Sequence, residues 1–123
     1  MSAPTPKVRK KVYVRDDYQC VSCLTTYGIQ AHHRQATGMG GRLRRPTPSE
    51  LLTACSTCNA SYEADGQADA LLWGIKVRRN IGGLTPADIP VFYLHDQGWF
   101  LLDDEGNRKR CLPDEKVMSD GAD

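Results

Sequence analysis

Cys20-Val-Ser-Cys23, Ala31-His32-His33-Arg34 and Cys55-Ser-Thr-Cys58-Asn59 are the stretches of this chain that decide its fold. Two Cys-x-x-Cys pairs, with 31 residues between them, bracket a His-His dipeptide. A tetrahedral Zn²⁺ ion takes four thiolates, and a two-residue gap lets both sulfurs of one pair reach the same ion. Two such pairs indicate a structural zinc site, and the long interval between them leaves room for further secondary structure.

Two disulfides are the alternative assignment for these four cysteines. Disulfides belong to oxidising compartments. Residues 1–11 are charged but lack the apolar run of a secretory signal, and no stretch approaches the roughly 18 apolar residues of a membrane span. We therefore expect a cytoplasmic chain with reduced thiols and no membrane contact, which favours metal. Cys111 has no partner left and is interpreted as a bystander.

The charge of the chain is unevenly distributed. Its 123 residues predict one domain. With 40% apolar residues, we expect a small core that a bound metal would stabilise. The net charge is +1, but the two halves of the chain differ in sign. Residues 1–45 contain nine Lys/Arg and two acids, whereas residues 46–123 contain seven Lys/Arg and thirteen acids. A basic half is typical of chains that contact a polyanion. A solvated surface with an acidic counterweight is the alternative.

The pattern along the chain predicts an α+β fold. We expect a flexible basic arm at 1–11, a core at 12–80, a linker and β-hairpin at 81–102, and a frayed acidic tail at 103–123. Within the core, short strands are predicted at 28–33 and 51–54, joined by a loop rich in Gly, Arg and Pro. A helix is expected to open at Thr57 or Cys58. This order of strand, loop, strand and helix is held at both ends by one metal, and the hairpin is a separate addition.

His32, His33 and Asn59 are the candidates for chemistry. Hydrolysis of a phosphodiester needs a base that activates water and a cation that neutralises the developing charge. Adjacent strand residues point to opposite faces, although a strand end or bulge lets both serve one site. Imidazole both binds metals and accepts protons near neutral pH. Taken alone, a strand histidine is more often a satisfied polar residue, and Asn59 is most simply a helix cap.

These motifs, in this order, resemble the HNH endonuclease family, in particular the small four-cysteine members encoded by actinobacterial phages. The resemblance covers residues 12–80 and includes the strand ending in His32-His33-Arg34, the loop Gly38-Met-Gly-Gly41 and the run Leu51-Leu-Thr-Ala-Cys-x-x-Cys-Asn59. It implies the ββα-metal (His-Me finger) fold with a four-cysteine zinc site. It also implies hydrolysis of DNA by metal-assisted, His-activated water.

The resemblance implies a role for each matched residue. His32 and Asn59 correspond to ligands of one catalytic cation (Mg²⁺, Mn²⁺, Ni²⁺ or Zn²⁺), and His33 corresponds to the general base. Glu50 stands where the family places an Asn that orients the loop and the base, and Glu cannot donate an amide N–H. Glu63, one turn after Asn59, is either a replacement ligand or a solvated surface residue. The structural zinc ligands are Cys20, Cys23, Cys55 and Cys58.

Four arginines are candidates for holding the DNA backbone, because a guanidinium offers bidentate geometry to phosphate. They are Arg34, Arg42, Arg44 and Arg45, and ordinary solubilising charge is the alternative. No base-specific element is recognisable, so target preference is expected to be weak or shape-based. The resemblance adds phage packaging proteins as partners and the host cytoplasm as location. The alternative function, favoured by Glu50, is a catalytically degenerate zinc-stabilised module that binds nucleic acid or protein.

Overall fold

Two small antiparallel sheets and three short helices make up the part of the chain that the computed structural model describes, residues 3–36, 44–79 and 81–112. The helices are α1 (Pro6–Arg15), α2 (Ser56–Tyr62) and α3 (Gln67–Leu72). The strands are β1 (Ile29–His33), β2 (Leu51–Cys55), β3 (Val91–Tyr93), β4 (Gly98–Leu102) and β5 (Arg108–Cys111). This composition confirms the α+β class. None of the described helices is long and apolar enough to cross a membrane.

The first sheet consists of the two strands predicted on either side of the Gly- and Arg-rich loop. β1 pairs with β2 from Ile29 opposite Cys55 to His33 opposite Leu51. All five residues of β2 are buried, which explains the mostly apolar run that marks it in the sequence. α2 follows β2 directly and begins at Ser56, one residue before the earlier of the two predicted starts.

The N-terminal region differs from the prediction. Residues 6–11, expected within a flexible basic arm, form the first part of α1. The Thr5 side chain caps this helix by accepting a hydrogen bond from the N–H of Val8 at 3.2 Å, and Pro6 occupies the first helical position, where no N–H is needed. The buried residues of α1 are Val12 and Arg15. Two buried positions make too narrow a stripe to show as helical periodicity.

The second sheet contains the predicted hairpin and one further strand. β3 and β4 pair around a turn at residues 94–97, as expected, and β5 pairs with β4. The tail predicted to fray from residue 103 therefore includes a paired strand, whereas residues 113–123 lie outside the described residues. The sheet is not a separate addition, because Val91 and Phe100 belong to the same buried cluster as Leu52 and Ala54.

A buried polar cluster connects the end of α1 to both sheets. Nε of Arg15 lies 2.8 Å from Oδ1 of Asp16, and the same guanidinium donates to the carbonyl oxygen of Leu51 at 2.7 Å. The Asp16 carboxylate also accepts hydrogen bonds from the N–H of Thr53 in β2 and from the O–H of Tyr93 in β3. A buried polar network stabilises a fold when its members are satisfied, as they are here. The cluster thus fixes α1 against the rest of the domain.

Arg34 is a second buried cation, directly after β1. Its guanidinium donates five hydrogen bonds of 2.8–3.2 Å to the main-chain carbonyls of Ser49, Gly74, Pro86 and Ile89. Complete burial, together with the nearby cation of Arg15, lowers the pKa of Arg34 to about 9. A phosphate cannot reach a side chain that is 0% exposed, so the prediction that Arg34 contacts DNA is wrong. Arg34 instead joins β1 to three distant segments of the chain.

Gly74 makes one of these connections possible. It has φ of 73°, and a Cβ atom built on it would lie 1.9 Å from the carbonyl oxygen of Pro90. The neighbouring Trp73 carbonyl accepts the N–H of Phe92 at 2.9 Å. Only glycine allows the chain after α3 to pass this close to the start of β3 while presenting its carbonyl to Arg34.

Replacing Arg34 with Met is expected to lower the free energy of unfolding by about 3–5 kcal/mol, because four buried carbonyls lose their donors. Chemical denaturation followed by tryptophan fluorescence measures the change. The matched control is Arg78→Met at an exposed position, which should change stability by less than about 0.5 kcal/mol. Equal stabilities for the two variants would contradict the structural role of Arg34.

Candidate metal centre

The four predicted cysteines converge on one point. The sulfur atoms of Cys20, Cys23, Cys55 and Cys58 all lie within 4.8 Å of one another. Sγ of Cys23 and Sγ of Cys55 are 3.7 Å apart. Zn–S bonds of about 2.3 Å in a tetrahedron place neighbouring sulfurs about 3.8 Å apart. The cluster can therefore hold one metal ion, and its ligand type and spacing are consistent with structural zinc.

The local backbone presents the sulfurs from two turns. Cys55 is the N-cap of α2, and its Sγ accepts the N–H of Cys58 at 3.3 Å. In the first pair, the N–H of Leu24 donates to the Cys20 carbonyl at 2.9 Å, and Leu24 itself has φ of 66°. The N–H of Val21 donates to the carbonyl of Thr53 at 3.0 Å. The first turn is thereby attached to β2, the strand that leads into the second turn.

The thiols carry no disulfide in this arrangement. All five cysteines are free, and 3.7 Å is far longer than the roughly 2.05 Å of an S–S bond. Burial and the adjacent Cys55 sulfur raise the pKa of the Cys58 thiol. Sulfurs this close cannot all ionise unless a cation offsets their repulsion. The geometry therefore favours metal over the disulfide alternative. Cys111 lies apart, in β5.

His32 is a buried residue on the α2 face of β1. Its Nε2 lies 3.1 Å from the carbonyl oxygen of Ile75, and its Nδ1 lies 2.9 Å from Oδ1 of Asn59. Burial lowers the pKa of His32 to about 4, so the ring is neutral at neutral pH. A carbonyl only accepts hydrogen bonds, so the single ring proton sits on Nε2. Nδ1 then presents a lone pair toward Asn59.

Asn59 faces this lone pair with another acceptor. Its Oδ1 points at His32, while its Nδ2 donates to Oε1 of Gln30 at 2.8 Å. Two acceptors 2.9 Å apart repel each other. Three arrangements make this contact favourable: a doubly protonated His32 ring that donates to both oxygens, amides of Asn59 and Gln30 that are both rotated by about 180°, or a cation bound to both acceptors. Asn59 is not a helix cap, because Cys55 occupies that position and Asn59 lies in the first turn of α2.

His33 lies on the opposite side of the strand. It is half-buried and, with Arg9 and Tyr13 of α1, lines an open groove between α1 and β1. The alternation of a β-strand explains this placement, since successive side chains point to opposite faces. His33 is also the last residue of β1. The two histidines therefore share a strand end but face different elements.

Glu50 and Glu63, the two candidate site glutamates, each contact a basic side chain. The Glu50 carboxylate accepts the N–H of Thr47 at 3.0 Å and lies 2.8 Å from Nη1 of Arg44. It thereby closes a capping box around the 3₁₀ turn at Pro48–Glu50. The Glu63 carboxylate is 65% exposed and lies 2.6 Å from Nζ of Lys76. This contact favours the surface interpretation of Glu63 over the replacement ligand.

Arg45, another of the candidate arginines, lies near the N-terminal end of α1. Nη1 of Arg45 donates to the carbonyl of Ala3 at 3.2 Å, and both Arg44 and Arg45 are exposed. Arg44 pairs with Glu50, which offsets part of its charge. Arg42 lies outside the described residues. Arg45 thus remains a candidate for contact with DNA.

Sequence reasoning missed three groups around His32. Gln30 precedes it by two residues and so shares its strand face, a signal that alternation provides. Tyr62 follows Asn59 by three residues on α2, and its ring centroid lies 4.9 Å from that of His32. The Ile75 carbonyl comes from the segment after α3, and nothing in the local sequence indicates that it reaches His32.

No protein-family model, curated protein or solved structure matches this chain.

Replacing Cys20 with Ser is expected to abolish stoichiometric metal binding and to lower the melting temperature, because three thiolates leave the site incomplete. Elemental analysis should find about one zinc per wild-type chain and far less in the variant. Cys111→Ser is the matched control, and it should keep both the metal and the melting temperature. Full metal content in Cys20→Ser would contradict a four-cysteine site.

Proposed function

We propose that this protein is a metal-dependent HNH DNA endonuclease, built on a ββα-metal unit formed by β1, β2 and α2. In this proposal the four cysteines hold structural zinc. His32 and Asn59 hold one catalytic divalent cation, and His33 is the general base. The proposal combines the ordered motifs of the sequence with the arrangement of side chains around His32.

The facing acceptors on His32 and Asn59 carry the proposal. Two ligand atoms bound side by side to one ion at about 2.0–2.1 Å lie about 2.9 Å apart. This matches the separation of Nδ1 of His32 and Oδ1 of Asn59, which is 2.9 Å. The Ile75 carbonyl accepts the other ring N–H, as the outer partner of a metal-binding histidine usually does. The residues present therefore fit a divalent cation.

The proposed site residues have separate roles in hydrolysis. A bound divalent cation supplies Lewis acidity, stabilising charge on the phosphate oxygens. His33 accepts the proton of the attacking water, since imidazole is suited to proton transfer near neutral pH. The Ile75 carbonyl holds the orientation and tautomer of His32. In this proposal the scissile phosphodiester lies at the end of β1, where His33 is the last strand residue.

A zinc-stabilised module that binds DNA without cutting it is the second candidate. The contacts of the two glutamates favour it. Glu50 replaces an amide and is engaged with Thr47 and Arg44, while Glu63 is paired with Lys76. Protein ligands for a catalytic cation would then be limited to His32 and Asn59 among the described residues. DNA is the proposed partner in both cases. Phage packaging proteins and a host-cytoplasmic location rest on the family resemblance.

His33→Ala is expected to reduce cleavage of supercoiled plasmid by about 10²–10⁴-fold, because a positioned general base contributes about that much to the rate. The assay uses zinc-loaded protein with added Mg²⁺, Mn²⁺ or Ni²⁺. His95→Ala is the matched control, since His95 is exposed in the turn between β3 and β4. It should cleave like the wild type.

Two outcomes would contradict the nuclease proposal. Equal cleavage by His33→Ala and the wild type would remove His33 as the base. An uncut plasmid with every metal, together with salt-sensitive DNA binding by the wild type, would favour the binding module.

Asn59→Ala is expected to weaken binding of the second cation by about 10–100-fold while leaving the zinc content unchanged. Calorimetric titration of the zinc-loaded protein with Mn²⁺ measures this. Glu63→Ala is the control, expected to bind Mn²⁺ as the wild type does because its carboxylate pairs with Lys76. If Asn59→Ala and the wild type bind equally, no cation bridges His32 and Asn59, and rotated amides or a doubly protonated ring explain their contact.

A further inference from the structure

An open groove of about 470 Å³ separates α1 from β1. Arg9 and Tyr13 line it from α1, His33 lines it from β1, and Ala3 and Pro4 lie at one end. Its volume falls within the range of about 300–1,000 Å³ typical of ligand sites. Residues 3, 4 and 9, expected within a flexible arm, thus form part of a structured surface.

The groove is bordered by positive charge. Helix α1 contains several Lys/Arg and no acid, and its N-terminal end adds the positive pole of the helix dipole. Nη1 of Arg45 reaches the carbonyl of Ala3 at 3.2 Å, which brings a further cation to the same end. Within the described residues, neither Arg9 nor Arg45 forms an ion pair. Their charges are therefore available to an anionic ligand.

Other basic groups nearby are partly offset. Lys11 packs against Gly106, in a turn that also contains Asp103, Asp104 and Glu105. Arg44 pairs with Glu50. Lys7 and Lys10 of α1 are exposed and, like Arg9 and Arg45, form no ion pair among the described residues. Of these cations, Arg9 lines the groove that contains His33, and Arg45 contacts Ala3 at its end.

We propose that this groove binds the sugar–phosphate backbone of one DNA strand, with Arg9 contacting a phosphate and Arg45 contacting the backbone at the groove entrance. A nucleic-acid backbone alternates anionic phosphates with less polar sugars. The groove offers matching groups, since Arg9 adjoins the apolar surface of Pro4, Ile29 and Ala31. Because these contacts involve the DNA backbone and no base edges, binding should be largely independent of the DNA sequence.

Tyr13 adds a hydrogen-bond donor to this surface. Burial raises the pKa of its phenol, so the O–H remains protonated at neutral pH and can donate to a phosphate oxygen. Tyr13 follows Arg9 by one helical turn, which places both side chains on the same face of α1.

The choice of DNA as the ligand of this groove rests on the proposed function. The groove adds to that function the path along which the DNA strand reaches His33. A strand lying in this groove passes His33 directly, whereas His32 and Asn59 lie on the other face of β1. Gln30 contributes to the groove and also accepts a hydrogen bond from the side-chain Nδ2 of Asn59, so one strand residue borders both regions. In this arrangement α1 orients the backbone for the base at the end of β1.

The test measures DNA binding separately from cleavage. Fluorescence anisotropy follows a labelled duplex of about 20 base pairs and zinc-loaded protein without a second metal, over a range of salt concentrations. Arg9→Gln should reduce the slope of log K against log salt by about 0.9, the value for one lost phosphate contact. Arg45→Gln should do the same. Arg9→Lys, which keeps the charge, should retain the wild-type slope.

Lys109→Gln is the matched control, because it removes the same charge from an exposed position on β5. Equal slopes for Arg9→Gln, Lys109→Gln and the wild type would overturn the proposed groove. Absence of salt-dependent binding by the wild type would overturn it as well. Plasmid cleavage by the wild type is scored independently. A nuclease with no dependence on Arg9 refutes the groove alone, and binding that depends on Arg9 without cleavage refutes the nuclease alone.

Discussion

Convergence of four thiols is the constraint on which the rest of the domain depends. The first Cys-x-x-Cys turn is attached to β2, and the second begins α2, so an ion held between them would close the unit formed by β1, β2 and α2. His32 on β1 and Asn59 on α2 lie in contact within this unit. In a domain with so small an apolar core, a metal contributes folding free energy that side-chain burial alone does not supply.

Two buried arginines connect the other elements of the domain to the first sheet. Arg15 connects α1 to β2 through Asp16, which also bonds Tyr93 of the second sheet. Arg34 uses main-chain carbonyls in place of a carboxylate and thereby fixes the segment that follows α3. This segment supplies the Ile75 carbonyl that accepts the Nε2 proton of His32. The environment of the candidate site is therefore determined by residues that contact neither metal nor substrate.

The opposite orientation of His32 and His33 organises the proposed chemistry. One histidine is buried beside α2, where its neutral ring presents a lone pair to Asn59. The other lines a groove bordered by a basic helix. A strand makes this separation unavoidable, because its side chains alternate. The division places the proposed cation site on one side of β1 and the proposed substrate groove on the other.

The sequence by itself determined the four-cysteine cluster, the two strands of the first sheet and the helix after Cys55, because each is marked by short local patterns, such as the two Cys-x-x-Cys pairs. Alternation also placed His32 and His33 on different faces. Only the tertiary structure decided that Arg34 is buried, since its carbonyl partners lie 15 to 55 residues away in sequence. The same holds for α1, which buries two residues against distant strands and so lacks a periodic apolar face. Long-range contacts cannot be recognised from the neighbouring residues in the sequence, whereas the spacing of metal ligands can.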